Sequence, residues 1–326
     1  MSRVVAMTGA TGFIGWHVAR RFVESGWQVR ALVRPDSPRP VPEGVERIVA
    51  SLREADVIAS ASGAGLLIHM AAVVGSQSAD EFRRSNVEAT AEVVKAAQRL
   101  GVRLVHMSSL GATGPGRPDD PPSEDSPLQP VNLYGKSKRD GEHLVRSARD
   151  LEWTIIRPTL VYGPRDRNFF PMFRLARRGL FPIPSATGVY NVVHVGDVTR
   201  LIEIAATSPA ARQETFFAGH PHPVTLRELM APLAPIYGKP FRPFPIPKSA
   251  LWLGAQVGSA AQKLGLHVPI DRGRWNEMRS PGFVCRVDKA RERLGFVATI
   301  ELAGGLRETA EWYERAGWIE PGARKF

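Results

Sequence analysis

The chain has 326 residues, 43% apolar and 23% charged, with a formal net charge of +11. That is room for one large α/β domain, or one plus a smaller lobe. No apolar run approaches the ~18 residues of a spanning helix, the N-terminus lacks a signal peptide's layout, and a single cysteine, Cys285, excludes an internal disulfide framework; a cytoplasmic protein without stable membrane insertion is the expectation. The arginines are scattered, in short clusters such as "RLARRG", with no basic run interleaved with aromatics, which argues against nucleic acid. The charge reads as a solvated basic surface, with an anionic ligand or lipid headgroups as the alternatives.

In chain order, residues 4–9 ("VVAMTG") predict a strand, 13–25 a helix closed by Gly26, and 28–34 a second strand. Residues 65–72, 103–109 and 153–159 predict further strands, with helices over 85–100 and 134–150 between them. This alternation predicts a parallel, doubly wound sheet. The second half changes character. "PSATGVYNVVHVGDV" and "FRPFPIPKSALWLG" are rich in proline and aromatics, and predict a smaller C-terminal lobe over the C-terminal edge of the sheet, where ligands bind in such folds.

"TGATGFIG" follows the first strand and opens the first helix. Gly9 allows the tight turn, Gly12 lets a pyrophosphate approach the backbone, and Gly15 permits close helix–strand packing. The helix N-terminus then faces the phosphates with free N–H groups. Thr11, Phe13 and Ile14, between these glycines, join them as cofactor-binding candidates. The fold class is therefore Rossmann-type, with residues 1–165 as the dinucleotide-binding domain, 190–220 returning to it, and 166–189 with 221–326 as the smaller substrate lobe. An acid at the end of the second strand binds the adenine ribose in NAD enzymes. This strand ends in "LVR", with Arg34 19 residues past Gly15. A planar guanidinium suits a 2′-phosphate, so NADP is the predicted cofactor and NAD the second choice.

"YGKSK" places Tyr134 and Lys138 four residues apart, on one face of a helix. A neighbouring ammonium favours the phenolate and so eases proton exchange at the tyrosine. Ser108 and Ser109 close the preceding strand in "RLVHMSS". The order TGxxGxxG, Ser-Ser, YxxxK resembles the extended short-chain dehydrogenase/reductase family. "HMAA", "NVEAT", "RPTLVYGP", "VVHVGDV" and the ending "KARERLGF" to "ETAEWYERAGW" extend the likeness over nearly the whole chain. Within the family, the pattern is most similar to hydroxysteroid dehydrogenases, dihydroflavonol-type reductases and hopanoid-associated epimerase-like proteins.

The resemblance implies that Tyr134 is the general acid or base, that Lys138 binds the nicotinamide ribose and lowers the tyrosine pKa, and that Ser109 orients the substrate oxygen. It groups Asn86 with these catalytic residues, as a group that fixes backbone or a water; a polar residue at a helix start is the bland alternative. It adds Ala71, Ala72 and Pro158 to the cofactor contacts, and implies a homodimer through residues 85–100 and 134–150. His69 reads as structural, and His194 with Asp197 as a turn that anchors the smaller lobe. No metal is expected.

Departures from the family narrow the function. "SSLGATG" carries no acid, which weakens a sugar dehydratase. Leu160, Tyr190 and Asn191 stand where epimerases hold polar contacts to a sugar nucleotide. An apolar pocket drawing on Phe169, Phe170 and Phe181 is expected instead. The apolar segment "PKSALWLGAQVGSAAQKLGLHVP" either covers a hydrophobic substrate, brushes a membrane, or packs as a helix on the lobe's core. The sequence thus predicts an NADP-dependent oxidoreductase acting on a fairly apolar small molecule. A nucleotide-sugar epimerase and a non-catalytic cofactor sensor are the rivals.

Overall fold

A computed structural model describes residues 3–75, 78–184, 188–263 and 272–320. The first half runs β1 (Val4–Thr8), α1 (Phe13–Glu24), β2 (Gln28–Val33), β3 (Val45–Val49), α2 (Glu54–Ala61), β4 (Leu66–His69), α3 (Ala79–Phe82), a π-helical turn (Arg83–Glu88), α4 (Ala89–Leu100), β5 (Arg103–Met107), α5 (Leu110–Thr113), α6 (Leu133–Ser147), β6 (Trp153–Pro158) and β7 (Leu160–Tyr162). It continues through α7 (Phe170–Arg177), β8 (Phe181–Pro184), β9 (Val189–Tyr190), β10 (Val192–His194), α8 (Val195–Thr207), β11 (Glu214–Ala218), β12 (Val224–Thr225), α9 (Leu226–Met230) and α10 (Leu233–Ile236). The chain ends in β13 (Pro243–Ile246), α11 (Lys248–Lys263), α12 (Arg272–Met278), β14 (Gly282–Phe283), α13 (Asp288–Leu294) and α14 (Leu302–Arg315).

Seven strands pair in parallel in the order β11-β6-β5-β4-β1-β2-β3. Central strands of such a sheet are buried on both faces, which is why they read as unbroken apolar runs. Alternate residues serve opposite layers. Val5, Met7, Ala31, Ile68 and Val105 pack against Val18 and Phe22 of α1 and Leu201 and Ile202 of α8. Ala6, Leu32, Leu67, Leu104 and Ile155 pack against Val57 of α2, Val93 and Ala97 of α4, and Val145 of α6. Strand order reverses at β1, between β2 and β4. That switch opens a crevice beyond the carboxyl ends of the strands, where ligands bind in this architecture. Among the described residues, no helix is long and apolar enough to cross a membrane.

The doubly wound sheet is the one predicted, with differences at its margins. β3 and α2 have no counterpart in the sequence reading; in the edge strand "VERIV" two adjacent charges interrupt the apolar residues, of which only Val45 and Ile48 are half-buried. The strands end up to three residues earlier than predicted, and the released residues form the loops that carry the site. The aromatic pocket is a correction. Phe181 is fully buried against Phe241, Phe170 packs edge-on to Tyr313 and Trp318, and Phe169 packs on Tyr162. These side chains belong to a hydrophobic cluster with Phe173, Leu233 and Leu306, Phe181 inside it and Phe169 and Phe170 half-buried against it. Residues 185–187 and 264–269 of the two Pro-rich and apolar segments lie outside the described residues.

Candidate active site

β1 delivers the chain into the glycine turn. Gly9 has φ +77°, and a Cβ on Gly15 would stand 2.1 Å from the Gly9 carbonyl oxygen, so the helix presses directly on the turn. Gly12 is the N-cap of α1 and places no side chain over its first turn. The first-turn N–H groups therefore stay open, with Thr11, Phe13 and Ile14 half-buried around them. Thr8 fixes the opposite wall. Its Oγ1 accepts from the N–H groups of Met70 and Ala71, each at 3.1 Å, which holds Ala71 and Ala72 beside the turn. A cradle that a Cβ would fill, facing an uncapped helix start, fits the pyrophosphate of a dinucleotide. Pro158, buried at the end of β6, lies farther along the same edge.

Arg34 follows β2 with its side chain exposed and 3.7 Å from Asp36. The acid missing from the strand end thus lies two residues on, held to the arginine. Arg165, a signal not used in the sequence reading, adopts φ +73° and lays its guanidinium 3.7 Å over the Trp16 ring, in the first turns of α1. Burial lowers its pKa, and so do Arg167 and Arg39 nearby. This group of arginines adds positive potential to a helix end that already favours anions.

Ser109, Tyr134 and Lys138 come together at the ends of β5 and α6. Asn132 caps α6 by accepting the Gly135 N–H at 2.7 Å, which starts the helix one residue before Tyr134. A Cβ on Gly135 would stand 2.2 Å from the Gly111 carbonyl oxygen, so α5 and α6 touch backbone to backbone. That approach gathers the Ser109 hydroxyl and the Tyr134 ring at Gly111, where an added Cβ would stand 3.3 Å from Ser109 Oγ and 3.7 Å from the ring. Ser109 Oγ also accepts the Gly111 N–H at 3.0 Å. Against the lowering expected from Lys138, the Tyr134 pKa is raised, chiefly by burial; the Ser109 hydroxyl opposes this and the Glu277 carboxylate on α12 adds to it. Glu277 itself accepts from Asn132 Nδ2. Lys138 is only 4% exposed. Burial lowers its pKa to about 8, against the attraction of Glu142.

Asn86 lies elsewhere in the machinery. The π-helical turn that carries it leads into α4, where an unbroken helix was predicted. Its Oδ1 accepts the Val73 N–H at 2.8 Å, and its Nδ2 donates to Val73 O at 3.0 Å and to Ser137 Oγ at 2.9 Å. Both ends of the amide are thus taken by protein. Asn86 braces the loop after β4 against α6, and does not offer a free group to the cleft. His69 is structural, as read. Thr8 Oγ1 donates to His69 Nδ1 at 2.7 Å, His69 Nε2 donates to Thr90 Oγ1 at 3.0 Å, and Thr90 donates to Asn86 O at 2.7 Å. Burial, with Lys138 nearby, lowers the His69 pKa to about 3, so the ring is neutral.

Two charged residues missed in the sequence lie beneath the site. Glu142 continues the Tyr134–Lys138 face of α6 by one more turn and is fully buried. It accepts from Arg157 Nε at 2.9 Å, from Arg157 Nη2 at 2.7 Å, and from the Ser108 hydroxyl. Arg157 Nη1 donates to Glu124 O at 3.0 Å. Spacing of four and eight residues from Tyr134 was the available signal. His194 and Asp197 behave as the predicted turn: His194 caps α8, and Asp197 Oδ2 accepts the N–H groups of Thr299 and Ile300. Among the described residues, no cluster of His, Cys, Asp and Glu is arranged to hold a metal ion.

With this geometry in hand, known proteins give it context. The model of the NAD dependent epimerase/dehydratase family matches residues 5–219. A ceramide reductase of Caulobacter vibrioides is 28% identical, with 97% of this chain and 96% of the relative covered. A UDP-glucose 4-epimerase of Vibrio cholerae is 27% identical, with 97% of each chain covered. The solved structure of MoeE5 in complex with UDP-glucuronic acid and NAD matches with a TM-score of 0.77 at 26% identity, covering 96% of this chain and 99% of that one.

Proposed function

The chain belongs to the NAD-dependent epimerase/dehydratase family, and on that premise we propose that it is an NADP-linked oxidoreductase interconverting a ketone or aldehyde and its alcohol in a fairly apolar molecule. The observation that carries this reading is the Ser109 hydroxyl and the Tyr134 ring side by side at Gly111, with Lys138 one turn along α6. The open first turn of α1, Ala71, Ala72 and Pro158 would hold the dinucleotide, with Lys138 at the nicotinamide ribose. The bound nicotinamide supplies or receives the hydride.

Ser109 holds the substrate oxygen beside Tyr134. The raised pKa of Tyr134 keeps it a neutral phenol near pH 7, which suits it to give its proton to a carbonyl oxygen as that oxygen becomes a hydroxyl. The phenolate left behind is stabilised by the Lys138 cation and the Ser109 O–H. Lys138 is a cation below about pH 8 and neutral above it. The expected kcat/KM for reduction is level below that pH and falls as pH rises through it. In Lys138→Met the level is lower and this inflection is gone; an unmoved inflection would contradict the assignment.

Arg34 is the basis for NADP. An exposed pair such as Arg34–Asp36 contributes at most about 1 kcal/mol, so a dianionic 2′-phosphate outcompetes the carboxylate. Arg34→Ala is expected to raise KM for NADPH by about 10–100-fold, the equivalent of a lost charged hydrogen bond, with KM for NADH little changed. A wild-type preference for NADH would overturn the choice of cofactor.

A relative named as a UDP-glucose 4-epimerase favours the epimerase reading. Against it, Asn191 is spent on structure: its Nδ2 donates to His220 O at 2.7 Å and its Oδ1 accepts the Cys285 N–H at 2.9 Å. Each of its amide atoms already has a protein partner, and the residue is only 1% exposed. A cofactor sensor would not need the serine, tyrosine and lysine together. The homodimer expected through α4 and α6 is open to sedimentation measurements.

A further inference from the structure

Surface helices turn a polar face outward, and α11 does the opposite. Its buried side holds Leu251 and Ala255, while Trp252, Leu253 and Val257 point out with 51%, 58% and 62% of their surface exposed. Ser249, Ala250, Gly254 and Ala260 complete that outer face, and no charged residue lies between Lys248 and Lys263. Phe244, just before the helix in β13, is also exposed. Exposed apolar surface gathered in this way marks a place where something docks.

The charges around it say what. From residue 229 to residue 270 the sequence has no aspartate or glutamate, yet it carries Lys239, Arg242, Lys248 and Lys263. The first three of these are exposed. A two-fold contact between copies would set the same cations opposite each other with no acid to pair them. An anionic bilayer pairs them with headgroup phosphates and takes Trp252, Leu253 and Val257 into its acyl boundary.

The helix also leads to the site. Arg272 at the start of α12 donates to Ser259 Oγ and Gln256 Oε1 of α11, each at 2.9 Å. At the other end of α12, Glu277 accepts from Asn132, the cap of the helix that presents Tyr134. We propose that α11 is an interfacial helix that seats the second lobe on an anionic membrane surface, so that a lipid-borne carbonyl compound enters between the lobes toward Tyr134. This rests on the reading of the substrate as apolar, and narrows it to a molecule resident in a bilayer.

The test is co-sedimentation of the full chain with vesicles of phosphatidylglycerol and phosphatidylcholine, and with vesicles of phosphatidylcholine alone. Binding to the anionic vesicles, weakened by salt, with a blue shift of tryptophan emission, is the expected result. The triple variant W252S/L253S/V257S should bind at least about tenfold more weakly, as lost burial of three apolar side chains requires. The triple variant K239Q/R242Q/K248Q should lose the preference for anionic vesicles. Both should keep wild-type reduction of a water-soluble ketone, because neither touches the cleft. Absence of vesicle binding, or equal binding by wild type and the serine variant, overturns the proposal. So does a wild-type dimer that the serine variant converts to monomer, since a second copy would then own the face. Vesicle binding is read without turnover, so a chain that binds vesicles but reduces no ketone overturns the reductase reading alone.

Discussion

Tyr134→Phe is expected to lower kcat for carbonyl reduction by about 10²–10⁴-fold, the usual contribution of a positioned general acid. The substitution removes one oxygen and leaves the ring, which packs 6.1 Å from Phe82, in its place. The fold and the affinity for NADPH should therefore be unchanged, and the loss should fall on kcat rather than KM. The reason is local. Ser109 and Lys138 remain, but neither can replace the phenol proton: an aliphatic hydroxyl is a weaker acid than a phenol, and Lys138 lies a full helical turn away. Steady-state kinetics beside a cofactor-binding titration make the separation. A variant with near wild-type kcat would remove Tyr134 from the chemistry.

The second large effect is on stability. Glu142→Ala strips Arg157 of a bidentate partner while the guanidinium stays buried, 5.5 Å from the Phe217 ring. Breaking a buried ion pair on one side costs about 3–5 kcal/mol, because the remaining charge has neither water nor counter-ion. Chemical denaturation should show a loss of that size, with Ser108 also losing its acceptor. Glu142→Gln keeps the shape and removes the charge that holds the Lys138 pKa up. In that milder variant the pH inflection of reduction should move below about 8. A Glu142→Ala protein as stable as wild type would mean that Arg157 finds other partners.

These two positions mark where the sequence was legible and where it was not. The glycine turn and the Tyr134–Lys138 spacing were readable because their chemistry demands fixed residue types at fixed intervals in a strand–helix context. Glu142 and Arg157 were not, because a lone charge in a helical or strand pattern looks solvated until the partner element is placed. The same holds for Thr8: a strand-end threonine says nothing until β4 is known to lie beside β1. Asn86 was found by motif, but its π-helical turn and its grip on Val73 depend on a backbone irregularity that periodicity does not encode. Phe169, Phe170 and Phe181 misled for a related reason. Aromatics in a proline-rich stretch serve a core or a pocket equally well, and lobe topology decides which. The edge strand β3 was hidden by its own charges, as edge strands often are.

The most direct test of the central claim is net cofactor turnover by the purified chain. NADPH is added with a panel of apolar aromatic and steroidal ketones, and its oxidation is followed together with alcohol formation. One NADPH consumed per alcohol formed, abolished in Tyr134→Phe and weaker with NADH, is the predicted result. No NADPH consumption across the panel, with a UDP-sugar instead epimerised and cofactor unchanged, would contradict it.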